Sequence, residues 1–255
     1  PYQSYVLYEE FIMPGLIGMI LLFNAMQSSL SMVYDRETGA MRTLLVSPFP
    51  RSFLLLSKLL GGVCVALLQV YAFLLVAYFW EITPGTFQDV SLFTMFDPAP
   101  WFSGGGISEP IITPLFSVPG WAQPFAGYIT VVPALILAGL MLGSLALFMS
   151  SVIKQLENFA GVMNFVIFPM FFASSALYPL WRIREASPLL YEICRLNPFT
   201  YGVELIRFGF YGHIDTVSLL VVTACTIVFL AAAVFAYNPS KGLIARRGGP
   251  GGSAA

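Results

Sequence analysis

YDRETGAMRTLLVSPFPRSFLLLSK, Tyr34 to Lys58, is a charged interruption between two long apolar runs. It holds Asp35, Arg36, Glu37, Arg42, Arg51 and Lys58 in a chain where only 10% of residues are charged. Soluble domains carry about 25% charged residues. Here 58% are hydrophobic and the mean hydropathy is +0.81, so the chain reads as an integral membrane protein. The 34–58 segment is then a loop joining two membrane spans.

A helix needs about 20 apolar residues to cross the hydrocarbon core. Five segments meet that length: about 11–33, 59–80, 125–149, 158–179 and 216–237. Backbone polar groups cannot stay unpaired in lipid, and the ten-residue alternation of a barrel is absent, so the spans are helices. The fold class is an all-α, polytopic helical bundle. Residues 1–240 form a single transmembrane domain, and 241–255, ending GGPGGSAA, is a cytoplasmic tail expected to be disordered.

Sidedness follows from Lys and Arg in short loops. The 34–58 loop has four basic residues, the tail has Lys241, Arg246 and Arg247, and the turn after the third span has Lys154. The 81–124 connection has Glu81, Asp89, Asp97 and Glu109 and no Lys or Arg. This places the 34–58 loop and the C-terminus inside, and 81–124 and 180–215 outside. The arginines at 182, 184, 195 and 207 oppose the rule, but Glu185, Glu192, Glu204 and Asp215 are available to pair with them. The chain opens on Pro1 with no signal-peptide pattern. With residue 1 outside, a further span is expected upstream, six in all. The 81–124 loop is rich in Pro, Gly and Trp, which suits an interfacial loop on the outer leaflet or a lid.

The local patterns are few. Asp35 suits an N-cap, with Met41, Leu44 and Leu45 on one face and Pro48 and Pro50 as stops. This predicts a short amphipathic helix over 36–47, which at its plainest orients two spans at the interface. In the first span Asn24, Gln27, Ser28 and Ser31 share a helical face, and Asn158 and Asn164 are weaker cases in the fourth span. Such polar groups line a pathway or make interhelical bonds that hold the bundle or a dimer. Gly139 and Gly143 predict close helix packing, within the chain or across a dimer. Residues 180–212 are apolar but broken by Pro188, Pro198 and Gly202, which predicts a re-entrant hairpin or a pair of interfacial helices. Glu9 and Glu10 read as interfacial carboxylates or a ring of negative charge at the exit. His213 and the cysteines at 64, 194 and 225 read as incidental or packing residues, with no metal set.

The run DRETGAMRTLLVSPFPRSFLLLSKLLGG resembles the first cytoplasmic loop of ABC-2 type transporter permeases, through Arg36, Glu37, Gly39, Leu44, Leu45, Pro48, Lys58 and Gly61. Upstream, FIMPGLIGMILLFNAM resembles the family's Phe-x-x-Pro-Gly-x-x-x-Met span at Phe11, Pro14, Gly15 and Met19. Downstream, LNPFTYGVELIR resembles its Asn-Pro-x-Thr-Tyr segment at Asn197, Pro198, Thr200, Tyr201 and Arg207. The three occur in family order and cover nearly the whole chain. The long 81–124 insertion and the separation of Lys58 from Gly61 depart from the family pattern.

The resemblance implies the membrane subunit of a bacterial ABC exporter in the inner membrane, acting as a homodimer with two copies of a separate ATPase. Its implied cargo is hydrophobic, lipidic or glycan-type. Residues 36–47 would be the coupling helix, with Arg36, Glu37, Gly39, Met41, Arg42, Leu44, Leu45 and Pro48 meeting the ATPase. ATP and Mg would bind on that partner, because these 255 residues contain no Gly-x-x-x-x-Gly-Lys-Ser/Thr phosphate loop. The chain itself is expected to bind no cofactor and to be non-catalytic. The rival readings are a secondary transporter or channel and a membrane-embedded enzyme. Both need ionisable groups within the spans, which are nearly absent. No basic block argues for nucleic acid.

Overall fold

The structure is a computed structural model that describes residues 8–38, 51–79, 112–114, 126–153 and 155–236. In order, these residues form helix α1 (Tyr8–Glu37), α2 (Arg51–Phe79), strand β1 (Ile112–Pro114), α3 (Ala126–Thr130), α4 (Val132–Val152), α5 (Leu156–Phe172), α6 (Leu180–Ala186), α7 (Pro188–Leu196), α8 (Pro198–Phe210), β2 (His213–Asp215) and α9 (Thr216–Ala236). This is a polytopic helical bundle with one small addition. β1 and β2 pair antiparallel, Thr113 opposite Ile214, which ties the 81–124 connection to the start of α9.

Among the described residues, four helices are long and apolar enough to cross a membrane: Phe11–Asp35, Phe53–Phe79, Gly127–Val152 and Thr216–Ala236. The third is α3 plus α4. Pro133 has no N–H to give to the Ile129 carbonyl, which sets the seam at Val131, yet Val131 keeps helical angles (φ −75°, ψ −17°) and the rod runs on. The fourth expected span, 158–179, is a 17-residue helix, α5, of about 26 Å, at the short end of the spanning range. It stops at Phe172, where a tight turn begins. There the Ser174 hydroxyl donates to the Phe171 carbonyl (2.5 Å) and accepts from the Ala176 N–H (3.2 Å).

Three local expectations are corrected. Asp35 does not start a new helix. With no Gly or Pro between Gly18 and Gly39, α1 runs on to Glu37, and Asp35 lies in its last turn. The second helix begins at Arg51 and its candidate span at Phe53, ahead of the expected start at 59, so Lys58 is a helical residue. In 180–212 the helical run is broken before Pro188 and Pro198, as expected, with each proline opening the next helix, but not at Gly202. Ser187 and Asn197 cap α7 and α8, Pro188 and Pro198 take the first helical position, and Gly202 lies inside α8 with a side-chain neighbour, Met141.

α4 is the centre of the bundle and packs against α1, α2, α8 and α9. Its buried positions are rich in small residues, Ala134, Ala138, Gly139, Gly143, Ser144 and Ala146, which let backbones approach closely. Gly139 and Gly143 face Val63 and Leu59 of α2, and a methyl group on Gly143 would sit 2.4 Å from the Leu59 Cδ1. The Gly-x-x-x-Gly therefore serves close packing inside the chain. The periphery is apolar and outward-facing: Leu68 and Phe79 on α2, Phe165 and Phe172 on α5, and Ile227 and Phe235 on α9 are all more than 60% exposed. A bilayer is the solvent for such a surface.

Candidate functional site

The chain alternates direction, so α1 ends, α2 begins, α4 ends and α5 begins at one level, the loop end. α6, α7, α8, the β1–β2 ribbon and the start of α9 gather at the other, the hairpin end.

At the loop end, two carboxylates sit in the last turn of α1, where the helix dipole disfavours negative charge. Each has a partner that offsets this. Asp35 forms an ion pair with Lys58 of α2. Glu37 Oε1 accepts the Leu156 N–H (2.8 Å) at the first residue of α5, where the dipole favours it. The end of α1 is thus tied to the starts of both α2 and α5, at the point where residues 39–50 leave and return. Of the expected coupling residues, Gly39, Met41, Arg42, Leu44, Leu45 and Pro48 lie outside the described residues, as does the side chain of Arg36. Glu37 is turned to α5. Lys58, expected only as a motif residue, forms half of the ion pair.

Midway along α1 the expected polar face divides. Asn24 is buried and donates to Gln69 of α2. Ser28 also faces α2, and a methyl group on Gly62 would sit 2.7 Å from its hydroxyl. Gln27 and Ser31 are exposed, as is Asn164 on α5, so Asn164 does not join the Asn24 pair. Gln69 is the one amide in α2 and could have been flagged by the rule that polar groups in lipid seek partners.

At the hairpin end, the Asn-Pro-x-Thr-Tyr segment is a clamp. Asn197 caps α8 by accepting the Phe199 N–H (3.0 Å). Its amide donates to the carbonyls of Met170 and Ala173, both at 2.7 Å, which α5 leaves free at its C-terminus. Pro198 fixes the first turn, and Thr200 donates to the Cys194 carbonyl (2.7 Å), closing α7 onto α8. Burial pushes the Cys194 thiol up, so it stays a neutral packing group. Tyr201 is half-buried and packs against the main core cluster.

Arg207 is 3% exposed, and its guanidinium is shared among three elements. It pairs with Glu204 (2.5 Å), donates to the Ser175 carbonyl (2.9 Å) and lies 4.0 Å from the centre of the Phe11 ring. A buried charge needs partners of this kind. The neighbouring turn also presses on α1, where a methyl group on Gly15 would sit 2.3 Å from the Ala176 carbonyl oxygen, and Gly18 abuts Val203 and Phe199. Phe11, Gly15 and Gly18 therefore form one stripe of α1 against α8 and the 173–176 turn. The upstream and downstream motifs, nearly 200 residues apart, are two halves of one contact. Among the described residues, this is the one formed pair of those expected for the hairpin arginines; Arg184 instead stacks near the Tyr191 ring (5.8 Å). Asp215 caps α9 through the Val217 and Ser218 N–H groups (3.2 and 3.0 Å). The neighbouring His213 ring turns to the Tyr211 carbonyl (2.6 Å). The described residues contain no metal-binding cluster, and the side chains of Glu9 and Glu10 lie outside them.

The model of the ABC-2 family transporter protein matches residues 2–235. A putative transport permease, ycf38, of Porphyra purpurea is 24% identical over 82% of this chain and 57% of its own length. Nodulation protein J of Neorhizobium galegae is 26% identical over 59% of this chain and 56% of its own. The inner membrane transport permease YadH of Escherichia coli K12 is 27% identical over 88% and 71%. This chain thus spans little more than half the length of the first two relatives. No solved structure matches it. A family match over almost the whole described bundle, with three family motifs meeting at its two ends, makes this multi-pass membrane protein a member of the ABC-2 transporter family.

Proposed function

We propose that this chain is the membrane-spanning permease subunit of an ATP-driven exporter, working as a homodimer with a separate ATPase that binds ATP and Mg. The cargo class is a hydrophobic, lipidic or glycan-type molecule. In this reading the loop end is cytoplasmic and residues 36–47 are the surface the ATPase pushes. The observation that carries it is the double tether at the end of α1. Asp35–Lys58 and Glu37–Leu156 join α1, α2 and α5 where the 39–50 segment departs. A displacement of that segment would be delivered to three helices together, because packed helices shift as rigid bodies. The chain's own polar groups support a lever more than a reaction centre.

The test is reconstitution in proteoliposomes with a candidate ATPase. The chain is expected to stimulate ATP hydrolysis, and Arg42→Glu is expected to abolish the stimulation without affecting insertion. Arg42 is the cleaner probe, since reversing Glu37 would also uncap α5. Unchanged stimulation in the Arg42 variant would remove the coupling role. Transport that persists with an ATPase unable to hydrolyse ATP, driven by an ion gradient, would establish a secondary transporter instead.

A further inference from the structure

At the hairpin end a cavity of about 240 Å³ opens between α1, α6, α7, α8 and the β2–α9 junction. Its lining includes the apolar side chains Phe11, Leu180, Trp181 and Phe208. It also carries Arg195, Glu204, Arg207 and Asp215. Their charges are not equally engaged. Glu204 is paired with Arg207, and Asp215 is occupied by the α9 N-terminus. Arg195 is exposed and has no ion-pair partner among the described residues. The Arg207 Nε is a buried donor with no acceptor. The cavity wall therefore offers one exposed cation, Arg195, beside an aromatic surface, while the Arg207 charge is met by Glu204; a single free guanidinium of this kind suits the headgroup of an anionic amphiphile.

The surroundings indicate which amphiphile reaches it. α7, which carries Arg195, turns Leu189, Leu190, Ile193 and Leu196 outward, two of them more than 70% exposed. A short helix with such a face lies in the membrane interface with its apolar side in the acyl chains. That holds Arg195 at headgroup depth, where a long cationic side chain belongs. The cavity is far smaller than a whole phospholipid, so it takes a headgroup and the adjoining glycerol region, with the acyl chains left along the exposed face of α7.

We infer that this cavity is a binding site for the phosphodiester headgroup of one anionic glycerophospholipid from the surrounding leaflet, held by Arg195 against the Phe11–Trp181 wall. The site depends on the membrane placement of the hairpin and not on the drive by an ATPase, so it stands or falls separately from the transport reading.

Trp181 lines the cavity and reports on it. With Trp80, Trp101 and Trp121 changed to Phe, the chain is reconstituted in nanodiscs. Brominated phosphatidylglycerol or brominated phosphatidylcholine is then titrated over the same range of mole fractions in an unlabelled phosphatidylcholine background. Trp181 fluorescence is expected to be half-quenched at a mole fraction of the anionic lipid about ten-fold lower, the value of one charge-assisted contact. Arg195→Gln, at an exposed position, is expected to erase that preference while the helical circular dichroism is unchanged. Equal quenching by the two lipids, or an unchanged preference in Arg195→Gln, overturns the site. Displacement of the lipid by inorganic phosphate at constant ionic strength would overturn the lipid assignment in favour of a small-anion site.

Discussion

Asn197 shows how much a single side chain does in this bundle. Its oxygen caps α8, and its amide nitrogen satisfies two carbonyls at the end of α5, 24 and 27 residues upstream. Ala at this position loses a cap worth about 0.5–2 kcal/mol. It also strands two carbonyls, each costing about 1–3 kcal/mol when buried without a partner. A net loss on the order of 3 kcal/mol is expected from Asn197→Ala, read as a lower thermal midpoint in detergent. The discriminating substitution is Asn197→Asp. Aspartate is an equally good cap but has no donor, and it would turn a carboxylate oxygen towards two carbonyls. It is expected to be at least as unstable as the Ala variant. Stability near that of the natural residue in Asn197→Asp would mean that the cap alone matters and the bridge to α5 does not.

Among elements, the tie between α1 and α2 rests on Asp35 and Lys58. Both side chains are about 30% exposed (28% and 32%), so the pair is worth roughly 0–1 kcal/mol of stability. Its value is positional, because it joins the two helices on either side of residues 39–50. Asp35→Lys and Lys58→Asp are each expected to lower ATP hydrolysis stimulated by the permease, and the double swap to recover it, with thermal midpoints nearly unchanged. Failure of the double swap to recover activity would show that the two positions act separately. The sequence announced these elements unevenly. Hydropathy located the long spans to within a few residues, except where charged or hydroxylated residues at 51–58 hid the first two turns of α2. The loop pattern around Asp35 misled because a good capping residue is also a tolerable last-turn residue when a lysine waits across the gap. The clamp at Asn197 was visible as a motif but not as a contact. Its partners are backbone carbonyls in a stretch that reads as uninterrupted span, and backbone atoms leave no trace in periodicity. The Gly15–Ala176 approach is invisible for the same reason.

For the whole molecule, the distribution of exposed groups separates a lipid face from a face that needs a partner. Every exposed residue of α9 is apolar, and that helix is the least buried of the long spans. On α5 the exposed residues are mixed, with Asn158, Gly161 and Asn164 in its first half and Phe165, Phe168 and Phe172 in its second, and α1, which packs against α5, exposes Gln27 and Ser31. Asn164 is the ninth of seventeen residues in α5, close to the midplane if the helix crosses. An amide there has no water, and the rule for polar groups at that depth is a partner helix or a wet cavity. A second copy of the chain meeting the α1–α5 side would supply either one. α9 would then lie on the far side in lipid. In a background with Cys64, Cys194 and Cys225 changed to Ala, Asn164→Cys is expected to form a covalent dimer on mild oxidation in native membranes. Val228→Cys on α9, at a similarly exposed position, is expected to stay monomeric. The converse pattern would move the interface to α9 and would leave Asn164 facing hydrocarbon, a placement the energetics of the bilayer disfavour. The expected pattern would also bring the Glu37–Leu156 tether of each copy beside the dimer seam, because α1 and α5 form both. A push on the loop end would then act on the interface directly, with no need for transmission through the α4 core.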